Sequence, residues 1–124
     1  MQEPFSVDVQ PVETGEHTVF VMRIAGTIST LTTNAVESAF DNAVAQDGRW
    51  FVLDFSHVQH ITSGGLRMLL KTRRTALDAG GNVNIFGVRR EIRENVFDAL
   101  GFSNLFEICA DQDEALAAIS GQKG

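Results

Sequence analysis

Thr62-Ser63-Gly64-Gly65 sets two hydroxyls and two glycines between an apolar run, "WFVLDF" (Trp50 to Phe55), and an amphipathic run that starts near Leu66. A hydroxyl at such a strand-to-helix junction has three chemistries open to it. It can cap the helix by accepting from the first free amides, a contribution of about 0.5–2 kcal/mol. It can be a nucleophile, since Ser63-x-Gly65 is half of the G-x-S-x-G elbow. Ile61 breaks the other half, and His17, His57 and His60 all precede the serine, whereas elbow hydrolases carry the general base later in the chain. It can also accept a phosphoryl group, which adds about −1.5 to −2 charges and is tolerated at a helix N-terminus. A cap uses one hydroxyl and leaves unexplained the two glycines, which on this reading keep the surface around Ser63 open.

Other reactive side chains read more plainly. Asp54 closes an apolar strand, where a carboxylate satisfies backbone donors in the turn that follows. His57 and His60 lack a nearby set of carboxylates or thiols, so no metal is assigned. Cys109 is the single cysteine and reads as a small buried hydrophobe.

The elements that must position these groups follow from periodicity. Phe5, Val7 and Val9 alternate with Ser6 and Asp8, and "TVFVMRIAG" ends near Gly26, which predicts a starting hairpin. Ala35, Val36, Ala39, Phe40, Ala43 and Val44 recur at helical spacing, and Asn34 with Glu37 resembles a capping box for a helix ending near Gly48. Trp50 to Phe55, apolar on both alternating faces, predicts a central strand. Leu66, Leu69, Leu70, Ala76 and Leu77 form the stripe of the next helix, which "AGG" stops. Then come "VNIFG" as a strand, a helix marked by Ile92, Val96, Ala99 and Leu100 up to Gly101, "LFEIC" as a short strand, and a helix opened by Asp111 with Glu114 and running through Ile119. The order β-β-α-β-α-β-α-β-α predicts an α/β fold with a mixed sheet, parallel after its first pair. One domain over residues 1–124 is expected, with a tail frayed from about Ser120.

A net charge of −6 opposes general nucleic-acid binding. No apolar run approaches the ~20 residues that cross a bilayer and no leader-like segment is visible, which predicts a cytoplasmic protein without membrane contact. Seven of the ten basic residues nevertheless lie between positions 67 and 93. Arg67, Lys71 and Arg74 fall at i, i+4 and i+7, a basic stripe that is either a solvated face or part of a docking surface.

The run "FVLDFSHVQHITSGGLRMLL", with "GGNVNIFGV" and "VFDALGFSNLFEI" after it, resembles the STAS domains, and among them the bacterial anti-sigma-factor antagonists. The likeness extends from the second strand to the last helix. It implies the STAS-type mixed sheet and a partner-switching role without catalysis of its own, and no cofactor is expected. In such systems the unmodified antagonist binds an anti-sigma factor that is also a serine kinase of the GHKL type. Phosphorylation by that kinase ends the interaction, and a PP2C-type phosphatase restores it.

Position by position, the resemblance places the phosphoacceptor on Ser63. Thr62 stands where many antagonists have Asp, which makes it the second choice of acceptor, and Ser29 stands where many have another Asp. The expected docking surface comprises Ser29, Thr62, Gly64 and Gly65 around the acceptor, together with Arg67, Lys71 and Arg74 of the basic stripe. The alternative is a non-switching STAS scaffold or interaction module in a larger signalling or transport assembly.

Overall fold

The hairpin predicted from the first alternating run is present in the computed structural model, which describes residues 4–120. Strand β1 (Ser6–Glu13) pairs antiparallel with β2 (Thr18–Ile28), which continues two residues past Gly26. Helix α1 (Thr33–Ala45) leads to β3 (Trp50–Ile61), and α2 (Ser63–Asp78) leads to β4 (Asn82–Phe86). A short helix α3 (Arg90–Ile92) runs on as a π-helical stretch (Arg93–Asp98), followed by β5 (Glu107–Cys109) and α4 (Gln112–Ser120). The sheet order is β1-β2-β3-β4-β5, with every pair after the first parallel, so β3 is central as expected.

Helices α1 and α2 bury Val36, Phe40, Leu66 and Leu69 against one face of the sheet, over Met22, Ile24, Phe51 and Leu53. Ile92 and Phe97, from the connection between β4 and β5, join the same core. Right-handed connections between strands added in one direction put every crossover on one face. Helix α4 follows the last strand and is free to cover the other face, where Ala115 and Ile119 meet Val19, Val21, Trp50 and Val52.

Strand β3 is twice as long as the apolar run read from its sequence. It fits one extra residue against β2 between Asp54 and His57, and another between Val58 and His60. Core-facing residues are therefore spaced by two up to Phe55 and by three afterwards, at Phe51, Leu53, Phe55, Val58 and Ile61. The bulges break the period, which is why alternation alone stops at Phe55.

Three helical details correct the expectations. Helix α1 starts two residues earlier than the Asn34–Glu37 box implies; its N-cap is Thr32, whose hydroxyl makes no cap bond because it is committed to the preceding loop. Helix α2 buries Met68 and Thr72 along with Leu66, Leu69 and Ala76, while Leu77 is exposed and Leu70 only partly covered. After β4, the buried residues are Ile92 and Phe97, five apart, whereas Ala99 and Leu100 face solvent. A π turn has an i→i+5 repeat, so it carries Phe97 inward where a 3.6-residue period selects Val96 and Leu100. Phe97 then packs edge-on against Phe55, Phe102 and Phe106.

The helix stops read from glycine hold. Gly80 and Gly101 both take positive φ, and after α2 Gly80 N–H donates to Leu77 O and Gly81 N–H to Ala76 O, a Schellman closure. Asp111 caps α4 by accepting from Glu114 N at 2.9 Å. The expected frayed tail lies outside the described residues except for Ser120, whose backbone ends α4.

Candidate functional site: the carboxyl ends of β2 and β3

Ile28 and Ile61, the last residues of β2 and β3, are paired in register, so the loops that leave them are neighbours. In a parallel sheet this end is where variable loops collect beside helix starts. The two segments are tied together: Thr62 N–H donates to Ile28 O at 2.9 Å, and the Thr62 hydroxyl lies 3.4 Å from the same carbonyl.

Thr62, not Ser63, caps α2. Its backbone is extended and its Oγ1 accepts from Gly65 N at 3.3 Å. Thr62 is therefore engaged as both cap and strap, which leaves its hydroxyl poorly placed for a second role as acceptor. Ser63, the first residue of the helix, is exposed, and among the described residues its hydroxyl has no hydrogen-bond partner. No histidine engages it as a base.

The two glycines do something other than open the surface. A Cβ on Gly65 would lie 2.8 Å from Ile28 O and from Ile61 Cγ1, and one on Gly64 would lie 2.5 Å from Thr30 Cγ2. They let the start of α2 lie directly on the end of β2. Gly65 is buried and offers a partner no surface, which removes it from the expected docking set; Gly64 is partly exposed at its rim.

The loop facing Ser63 is held from within. The Thr32 hydroxyl accepts from Ser29 N at 2.8 Å and donates to Thr27 O at 2.8 Å, while Ser29 Oγ accepts from Leu31 N at 3.2 Å. Ser29 is thus half-buried and engaged in shaping the loop. The tip of that loop presents Leu31, 92% exposed, beside Thr30, the residue that touches Gly64. Periodicity assigns Leu31 to no element, and the signal it leaves in the sequence is a lone leucine inside the polar run "STLTTN".

The basic stripe on α2 resolves into different roles. Lys71 Nζ reaches Glu37 of α1 at 3.4 Å, Arg74 pairs with Asp78 at 3.5 Å, and the neighbouring Arg73 donates to Leu105 O at 2.8 Å. Arg67 is exposed and has no ion-pair or hydrogen-bond partner among the described residues. At 1.5 Å per residue, Lys71 and Arg74 lie about 12 and 16 Å along the helix from Ser63, whereas Arg67 lies one turn away.

Asp54 sits deeper, 5% exposed, midway along β3. Its Oδ1 accepts from Ser56 N at 2.9 Å and from the Ser56 hydroxyl, and its Oδ2 lies 3.3 Å from Arg23 Nε. It holds the first bulge of β3 in shape: the expected satisfaction of a backbone donor is there, but within the strand, because β3 runs on to Ile61 and no turn follows Asp54. His57 and His60 are exposed on the same strand, and no three His, Cys, Asp or Glu side chains converge on one point among the described residues. Cys109 is buried, and burial raises its thiol pKa, with Glu107, Glu114 and Asp111 adding to the effect. Among the described residues, no helix is long and apolar enough to cross a membrane.

The sequence model of the STAS domain matches residues 10–115, which takes in the second half of β1, all of β2 to β5 and the whole Thr62–Gly65 turn. The chain belongs to the STAS domain family. A relative from Bordetella bronchiseptica, BtrV, provisionally named an anti-sigma factor antagonist, is 25% identical over 95 residues, covering 77% of this chain and 81% of its own. An anti-sigma factor antagonist from Mycobacterium paratuberculosis shares the fold with a TM-score of 0.77 at 24% identity, over 96% of this STAS chain and 98% of that one. The anti-sigma factor antagonist SpoIIAA in its unphosphorylated form superposes with a TM-score of 0.73 at 18% identity, over 94% and 100% of the two chains. Its phosphorylated form has the same fold, with a TM-score of 0.66 at 17% identity over 94% and 99%. The five-stranded mixed sheet with its helices is thus the STAS fold, as the sequence resemblance implied.

Proposed function

We propose that this STAS protein is an anti-sigma-factor antagonist that works by partner switching, with Ser63 as its phosphoacceptor. The observation that carries the reading is the free Ser63 hydroxyl, exposed on a turn whose cap is supplied by its neighbour Thr62. Modification of Ser63 costs the fold no hydrogen bond. In this reading the unmodified protein binds a cytoplasmic anti-sigma factor that is a serine kinase of the GHKL type. Leu31, the rim of Gly64 and Arg67 form the contact face around the acceptor. A phosphate brings about −1.5 to −2 charges into that face and ends the complex. A PP2C-type phosphatase reverses the step, and the antagonist itself catalyses nothing.

The test is phosphopeptide mass spectrometry of the protein isolated from its native cells, beside the Ser63→Ala variant. A phosphate on Ser63 that disappears in the variant supports the switch. Ser63→Ala should also fold and retain the partner, while Ser63→Asp should bind it more weakly. A second reading, a non-switching STAS scaffold, draws on the hydroxyl residues Ser29 and Thr62 where many antagonists carry acids. Absence of phosphate under every growth condition, with the partner bound equally by Ser63→Ala and Ser63→Asp, favours that scaffold.

A further inference from the structure

Two exposed arginines in this protein find their acids one helical turn away. Arg74 pairs with Asp78 and Arg90 with Glu94, both at i,i+4. Arg67 breaks the pattern: the residue four places before it is Ser63, and α2 carries no acid before Asp78. The Ser29–Thr32 loop packed against this turn is also uncharged, and Glu37 of α1 is held by Lys71.

We propose that Arg67 is the internal counter-ion of a phosphate on Ser63, so that modification supplies the acid its helix lacks. The inference rests on the reading of Ser63 as phosphoacceptor. Helical side chains lean toward the N-terminus, so a guanidinium at position 67 leans over the turn that holds residue 63. An acid N-terminal to a base at i,i+4 is also the better orientation of such a pair. A guanidinium binds phosphate oxygens through a planar fork, which Lys cannot reproduce. The consequence for the switch is double. Phosphorylation adds negative charge at the contact face and at the same time withdraws Arg67, the one unpaired cation of the α2 stripe among the described residues, from a docked partner.

The experiment uses full-length protein with phosphoserine installed at position 63 during translation, in otherwise wild-type, Arg67→Gln and Arg67→Lys forms. The second ionisation of the phosphate is followed by phosphorus NMR across a pH titration. The expected result is a phosphate pKa about half a unit or more lower in the wild-type background than in Arg67→Gln, because the cation favours the dianion. Arg67→Lys should restore part of the shift. The difference between the wild-type and Arg67→Gln phosphoproteins should shrink at about 1 M salt, where screening is short-ranged. His60, the nearest titratable group along β3, is common to all three forms and cancels from the comparison. Coincident titration curves for the wild-type and Arg67→Gln phosphoproteins, or a difference between them indifferent to salt, would overturn the proposal. Because the phosphate is installed rather than enzymatic, failure here leaves Ser63 as acceptor intact; a Ser63 never modified in cells defeats that reading instead.

Discussion

The Thr62 hydroxyl accepts the hydrogen bond from Gly65 N at 3.3 Å, which assigns the helix cap to the residue before Ser63. Division of labour between two adjacent hydroxyls leaves one to hold the turn and one to face solvent. Thr62→Ala should lower stability by about 1 kcal/mol through loss of the cap. Ser63→Ala should leave stability unchanged within about 0.5 kcal/mol, as for a surface substitution. Urea denaturation of both variants checks the assignment, and equal losses would contradict it.

Gly64 and Gly65 differ in what a methyl group would strike. At Gly65 it meets the Ile28 carbonyl and the Ile61 side chain, a backbone atom and a core residue that have little room to retreat. Gly65→Ala should cost about 1–3 kcal/mol, the range for overpacking. Gly64→Ala meets the methyl of Thr30, a side chain on an exposed loop residue, and should cost less. Thermal unfolding of the two variants side by side tests this order.

Asp54 satisfies the Ser56 amide at the first bulge of β3. Replacement by Ala takes away the acceptor of that part-buried amide and should cost about 0.5–1.5 kcal/mol, the net worth of one hydrogen bond. Arg23→Gln removes only an exposed partner and should change stability by under about 1 kcal/mol. A larger effect at Arg23 than at Asp54 would show that the ion pair, not the bulge, is what the carboxylate serves.

Leu31 is exposed on a loop that is hydrogen-bonded from within, so its side chain contributes nothing to the core. Leu31→Ala should melt with the wild type and, under the proposed function, bind the anti-sigma-factor partner roughly tenfold more weakly, the mark of an apolar anchor at an interface. Calorimetric titration measures it, and unchanged affinity would remove Leu31 from the contact face.

Cys109 is buried and its thiol pKa is raised, first by burial and then by the neighbouring carboxylates. A raised pKa lowers the thiolate fraction at any given pH, and the thiolate is the reactive form. The folded protein should therefore resist Ellman's reagent at about pH 8, below the ordinary thiol pKa, and react with one equivalent per chain once denatured. Fast reaction in the native state would contradict the burial.

The sequence by itself determined the order of elements, the hairpin start, the central position of β3 and the turn that carries Ser63. These depend on local periodicity and on Gly, Ser, Thr and Asp at element ends, which act over a few residues. The tertiary structure alone decided which of two adjacent hydroxyls became the cap. That choice depends on the Ile28 carbonyl, 34 residues away in the chain, which receives the Thr62 amide. It also decided that Gly65 is packing and not surface, since the obstacle to a side chain comes from β2. The bulges of β3 and the π turn that buries Phe97 were hidden for the same reason: each breaks a period so that a strand or helix can fit its neighbour. Leu31 shows the converse, a residue whose type says core but which the held loop between β2 and α1 keeps in solvent.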